Sequence, residues 1–283
     1  MLALSRAVRF CLADAPAGDP PARSNTFSAW PPPAWLDRYY ELTVTCHGEA
    51  DPLTGYFINI KHIDAAVREH ALPVLRDAIA QPAADRPPLA ELMRRVAAAL
   101  QPPLNGSVAM LDLALTPFVR LLLDTQAMQH VLLKQRYSFS AAHRLHVPSY
   151  SDQQNRQTFG KCNNPAGHGH NYQVEVVARC PVDEHGRSLS VAALDDAVDE
   201  HVIEALDHKH LNEDVPAYAD HNPSVEHIAA DIWDRLAEHM PGSATLDEVT
   251  VWETEKTACT YRGPMPASAN ATPSGPVAAQ APA

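Results

Sequence analysis

The segment Cys162-Asn-Asn-Pro-Ala-Gly-His168-Gly-His170-Asn-Tyr172 sets a thiol ahead of two imidazoles spaced i and i+2. Residues two apart on a β-strand project from one face, so His168 and His170 can close on a single metal ion while Gly169 leaves the other face uncrowded. A third ligand is at hand in His143, which ends Tyr137-Ser-Phe-Ser-Ala-Ala-His143, another run rich in strand formers. Antiparallel pairing of the two segments would bring its ring beside the pair. Three neutral imidazoles leave the fourth tetrahedral position open, which is the arrangement of a catalytic zinc ion rather than a structural one. Cys162 lies among Gly, Asn and Pro, so its thiol is expected on a turn approaching the metal rather than inside an apolar run.

The elements needed to hold these residues are written twice. Tyr40, Leu42, Val44 and Cys46 alternate as Tyr172, Val174, Val176 and Ala178 do, the period of a half-buried strand. Phe27-Ser-Ala answers Phe139-Ser-Ala, and Gly-containing acidic turns follow at Asp51–Gly55 and Asp183–Gly186. A helical face is expected through Ile63, Val67 and Leu72, and again through Leu194, Val198 and Ile203. A second helix should begin after Pro88 in one half and after Pro223 in the other, where Asn222 is a candidate cap. In the later helix Val225, Ile228, Ala229, Ile232 and Leu236 share a face. Each half closes with a strand bearing an acid, Asp112 or Glu253.

A chain of 283 residues with 46% hydrophobic content can bury a core in each half. Net charge is −12, which argues against a nucleic-acid or anionic-membrane partner and requires any substrate phosphate to be met locally. The five cysteines are odd in number and without framework spacing, as reduced thiols in a cytoplasmic protein would be. Arg6 and Arg9 interrupt the first apolar stretch, so a secretory signal is not expected. No apolar run approaches the roughly 18 residues of a membrane span.

Four motifs in order carry a family resemblance: Phe-Ser-Ala-Ala-His143, Cys162-Asn-Asn-Pro-Ala-Gly-His-Gly-His170-Asn-Tyr, Leu206-Asp-His208-Lys-His210-Leu-Asn212 and Val251-Trp-Glu253-Thr. Over roughly residues 134–262 the chain resembles the 6-pyruvoyltetrahydropterin synthase family, which includes the 6-carboxytetrahydropterin synthases. The resemblance implies an α+β tunnelling fold, in which a four-stranded antiparallel sheet carries two helices on one face and sheets join into a barrel. The chain looks like two such units in tandem: residues 1–124, a degenerate copy; residues 131–262, the catalytic unit; and a tail, 263–283, rich in Ala and Pro and expected to be disordered. In the first copy the positions of the metal pair fall near Leu36 and Arg38, and Asp112 falls where Glu253 falls.

The resemblance further implies a pterin triphosphate, 7,8-dihydroneopterin triphosphate, as substrate and Zn2+ held by His143, His168 and His170. Zinc would acidify a hydroxyl-bearing side-chain carbon. Cys162, beside Lys161, is then the candidate general base, and Asp207 with His208 an acid–imidazole pair relaying protons. Glu253 matches the pterin anchor, and Ser224 and Glu226 are candidate substrate contacts, although a first-turn carboxylate also serves the helix dipole. His208-Lys-His210 is a second His-x-His whose latter member takes no role. Lys161, Arg156 and Lys209 lie near the motifs but are equally explained as solvated charge. Five residues separate Cys162 from His168, as in the pyruvoyl-forming members, so loss of triphosphate to give 6-pyruvoyltetrahydropterin is favoured over acetaldehyde release to the 6-carboxy product of the queuosine route. A zinc- and pterin-binding protein without catalysis is the alternative of another class. A homo-oligomer, such as a trimer of tandem chains, is expected from the barrel.

Overall fold

The computed structural model describes residues 1–12 and 38–264. Its first half contains β1 (Leu2–Leu12), β2 (Arg38–Gly48), α1 (Ile60–Ala66), α2 (Leu72–Ala80), α3 (Leu89–Leu100), β3 (Val108–Ala114) and β4 (Val119–Asp124). The second contains β5 (His130–His143), α4 (Asp152–Phe159), β6 (His168–Pro181), α5 (Val191–Val198), α6 (Glu204–Leu206), β7 (Lys209–His210), α7 (Leu211–Asp214), α8 (Val225–Ala237), β8 (Thr245–Thr254) and β9 (Thr257–Tyr261). Two strands, helices and two strands thus recur. The four strands of each half join in one continuous sheet in the order β1-β2-β3-β4-β5-β6-β8-β9, because β4 pairs antiparallel with β5 from Val119↔Gln135 to Leu122↔Leu132. The boundary expected near residues 125–130 falls in the hairpin that joins them.

Strand alternation decides what each face carries. Val8, Phe10, Leu42, Val44, Leu111, Leu133, Val174, Val176, Val249 and Val251 point at the helices and are buried, as are all five residues expected on the face of α8. The opposite face carries ion pairs, among them Arg9–Glu41 (2.7 Å), Arg120–Asp112 (2.8 Å) and Lys134–Glu175 (2.6 Å). Asp112 therefore does not stand where Glu253 stands. Leu42 pairs with Leu113 and Val174 with Val251, so the register aligns Glu253 with Leu115, and Asp112 with Thr250.

Other expectations are corrected by local geometry. Phe27-Ser-Ala and Leu36 lie outside the described residues, as does the tail beyond Pro264. The strand beside β2 is β1, and Phe10 faces Tyr40 there as Phe139 faces Tyr172 in the second half, with ring centroids 6.1 and 4.9 Å apart. A π-helical turn follows α1 at Val67–Ala71 and another follows α5 at Asp199–Ile203. The wider turn rotates the succeeding residues about the helix axis, so the buried face runs Leu194, Val198, Val202, Leu206, and Ile203 is only half-buried. The cap of α8 is Ser224 rather than Asn222: its side chain accepts from the His227 N–H, while the Asn222 amide is spent on the N–H of His146.

Candidate metal centre and active site

His143 is the last residue of β5 and pairs with His168, the first of β6; His170 pairs with Ala141. The alternation that buries Phe139 and Tyr172 also turns these three rings toward the helix layer. His143 is fully buried. Its Nε2 lies 3.1 Å from that of His168, and Glu253 Oε1 lies 3.3 Å from His143 Nε2 and 3.4 Å from His170 Nε2. One ligand atom from each of these four residues falls within a 4.8 Å cluster.

The tautomer of His143 is fixed from behind. Its Nδ1–H donates to the Pro223 carbonyl at 2.7 Å, which leaves Nε2 as a lone-pair donor toward the cluster. Proline ahead of α8 thus does more than start a helix. Burial lowers the proton affinity of His143 and of His170, and the neighbouring His168 pushes the same way. His170 Nε2 is buried without a hydrogen-bond partner. Lone pairs facing one another and an orphaned buried nitrogen are what a divalent ion would satisfy, so the residues fit a metal held by three imidazoles, with Glu253 at the fourth corner. Gly167 permits the approach: its φ is +70°, and a Cβ there would stand 2.7 Å from His210 Nε2 and 3.1 Å from the His143 carbonyl oxygen.

Cys162 lies on the 3₁₀ turn Gly160–Asn163, half-buried, as its turn-rich surroundings predict. The proton affinity of the buried Tyr172 phenol is raised first by burial, then by the charge of Glu253 and then by that of Cys162. The Tyr172 hydroxyl is 3.4 Å from His143 Nδ1, which ties the phenol to the histidine cluster.

Asp207 and His208 form the expected pair, with His208 Nδ1 2.7 Å from Asp207 Oδ2. The other oxygen of Asp207 accepts from the Ser140 N–H at 2.7 Å, and this bond, followed by that to His208, holds the carboxyl below the usual carboxylate range. His208 has φ +55° and an exposed ring. His208 borders a cleft lined by Ser140, Ala142, Gly169 and Asn171, which alternate away from His143 and His168, and also by His170 and His210. Among the described residues, no hydrogen bond joins this pair to Cys162. Ser224 and Glu226 lie in the first turn of α8, where the Ser224 hydroxyl, then the Glu226 backbone N–H, depress the Glu226 carboxyl.

Several supporting residues carry no signal that the strand pattern could reveal. After His143 the chain leaves the sheet, and asparagine amides take over its backbone bonds. Asn212 accepts from the Arg144 N–H (2.8 Å) and donates to its carbonyl (3.0 Å); Asn155 does the same for Val147 (2.8 and 3.0 Å). His210, the unassigned member of the second His-x-His, packs its ring under Gly167.

A sequence model described as 6-pyruvoyl tetrahydropterin synthase matches residues 132–264. The chain is 43% identical over 135 residues to the 6-pyruvoyl tetrahydrobiopterin synthase of Drosophila melanogaster, covering 47% of this chain and 80% of that protein. It is 42% identical over 132 residues to the Homo sapiens protein of the same name, covering 46% and 90%. A solved Caenorhabditis elegans 6-pyruvoyl tetrahydropterin synthase shares 38% identity, covering 48% of this chain and 96% of that one, with a TM-score of 0.45. No helix among the described residues is long and apolar enough to cross a membrane. With most of the length of such relatives matched by the half that gathers the three histidines, the chain belongs to the 6-pyruvoyl tetrahydropterin synthase family.

Proposed function

We propose that this member of an enzyme family is a zinc-dependent carbon–oxygen lyase converting 7,8-dihydroneopterin triphosphate to 6-pyruvoyltetrahydropterin with loss of triphosphate. The observation that carries the reading is the convergence of the His143, His168 and His170 Nε2 atoms, one of them tautomer-locked by Pro223. When bound, zinc would stabilise negative charge developing on the substrate's side-chain oxygens. Cys162 then removes the carbon-bound proton as the general base. Glu253 accepts the pterin ring's amino and N–H groups, which requires its carboxylate to turn from the histidines when substrate enters. Ser224 and Glu226 contribute at the edge of that pocket.

The first half, residues 1–124, is on this reading a non-catalytic copy in tandem with the catalytic unit, 131–262. Its support is the repeated aromatic pair, the repeated π-turn and the pairing of Arg6 with Asp64 where Gln135 pairs with Asp195. Where the second half has His170 and Glu253, the first has Arg38 and Leu115, both lining an apolar pocket of about 150 Å³. Neither residue could serve a divalent ion as its counterpart does. The Asp207–His208 pair, which makes no hydrogen bond to Cys162 among the described residues, is assigned to the site of a neighbouring copy in a homo-oligomer.

Zinc-loaded protein supplied with 7,8-dihydroneopterin triphosphate should release triphosphate and the pyruvoyl product, identified by mass spectrometry. Acetaldehyde release would replace this with the 6-carboxy route, and unchanged substrate would reduce the protein to a binder.

A further inference from the structure

We propose that the apolar pocket of the first half is a binding site for a compact monocarboxylate, its apolar body the size of a single six-membered ring and its carboxylate held by Arg38 and Arg86. The pocket occupies the place in the first half that the metal centre occupies in the second. Strand register carries Leu12 onto Ala141, Arg38 onto His170 and Leu115 onto Glu253, and all three line the cavity. The start of α3 contributes Leu89 to its wall, as the residue ahead of α8 contributes the carbonyl that holds His143. A polar cup in one half is thus an apolar pocket with a cationic rim in the other.

Size and lining set the body of the ligand. Leu75, Leu92 and Leu113 are buried and wall the cavity, and Ala78 leaves open a space that a larger apolar side chain would fill. About 150 Å³ enclosed by such walls accepts a benzene-sized ring and offers water few partners. The polar groups at the pocket set the charge. Among the described residues, two guanidiniums line it and no carboxylate does. Arg38 makes no hydrogen bond or ion pair with the described residues. Arg86 gives Nε to the Gln81 carbonyl and one terminal nitrogen to the Ile79 carbonyl, both at 3.1 Å, which anchors the group and leaves its other terminal nitrogen to donate. Both arginines are exposed, so a carboxylate between them stays at the rim while the ring enters, and no charge is buried unpaired. Helix α3 adds to the positive field. Ser224 caps α8 with its side chain, whereas Pro88 at the same place in α3 has none to offer, and Pro87 and Leu89 put that uncapped first turn at the pocket.

The test is a saturation-transfer NMR titration of the metal-free full chain with benzoate, and with benzamide, which keeps the ring and lacks the charge. Wild type should bind benzoate saturably and roughly tenfold more tightly than benzamide. Arg38→Gln, a change at the surface, should weaken benzoate about tenfold, the worth of one charge-assisted contact, and leave benzamide unchanged. Ala78→Phe, with its fold verified by circular dichroism, should fill the cavity and abolish binding of both. Excess dihydroneopterin should displace neither, because its site lies in the other half. Absence of saturable benzoate binding, equal affinity for acid and amide, indifference to Arg38→Gln, binding that survives in folded Ala78→Phe, or displacement by dihydroneopterin would each overturn the site. The readout needs neither zinc nor turnover, so its failure is distinguishable from failure of the catalytic reading.

Discussion

His143 joins three requirements in one side chain: burial, a fixed tautomer and a lone pair facing two other imidazoles. Because burial depresses the proton affinity of His143 and His170, the folded chain favours their neutral forms, while the unfolded chain takes up protons near the ordinary value of 6.5. The stability they contribute is present above that value and is lost as pH falls through their lower folded values. Denaturant midpoints of metal-free protein should therefore drop across this window, and a variant with Gln at 143 and 170 should drop less. At Cys162 the expectation separates chemistry from binding. Cys162→Ala should keep its full complement of zinc by elemental analysis while kcat falls roughly 10²–10⁴-fold, the range for loss of a general base. Glu253→Gln is the sharper case, since its carboxylate touches two histidines here but is assigned to the pterin. Retained zinc with weakened dihydroneopterin binding supports the anchor role; loss of zinc would make Glu253 a ligand. The ligand triad is legible in the sequence because strand period two is strict, and the place of Glu253 is not, because the β-bulge near Trp252 and its contact with the histidines arise only from tertiary packing.

At the scale of elements, the site rests on a loop and a strand start that no regular ladder supports. Asn155 is fully buried and holds Val147 from both sides, so Asn155→Ala should cost about 1–3 kcal/mol in denaturant unfolding by leaving backbone groups unpaired. Gly167→Ala should destabilise by a similar ~1–3 kcal/mol through its left-handed φ, with added crowding from His210. Adding His210→Ala should recover only the crowding component, so a double-mutant cycle with no coupling would contradict the packing of that ring. Much of this level is readable from the pattern: the alternating strands, the α8 face and both turns stand where it puts them. Helix α4 is signalled too, by a cue independent of apolar periodicity, since Ser151 and Gln154 spell a capping box that the structure forms. The two π-turns are not, because one inserted residue leaves a local apolar spacing that suits Ile203 as well as Val202. Phe27 and Phe10 likewise offer two candidates for one position, and only strand pairing chooses Phe10.

For the whole molecule, the decisive feature is that the sheet continues through both halves and, among the described residues, ends in edges at β1 and β9. Neighbours along the main path are antiparallel and the path contains eight strands, so β9 of one chain runs opposite to β1 of the next and can extend the ladder. Such a head-to-tail contact closes into a ring when the curvature allows, and the ion-paired, helix-free face would then line the interior. Closure adds strands eight at a time, so it fits a small number of whole chains better than a fusion of single-unit barrels. The neighbouring-copy assignment, by contrast, requires a contact that sets the Asp207–His208 pair of one copy at the thiol of another. Light scattering should report an oligomer, and co-expressed Cys162→Ala and His208→Ala chains, each inactive alone, should regain turnover in mixed assemblies that contain an intact thiol facing an intact pair. If the mixture stays as inactive as its parents while chains demonstrably exchange, the two groups must act within one chain, and the neighbouring-copy assignment fails.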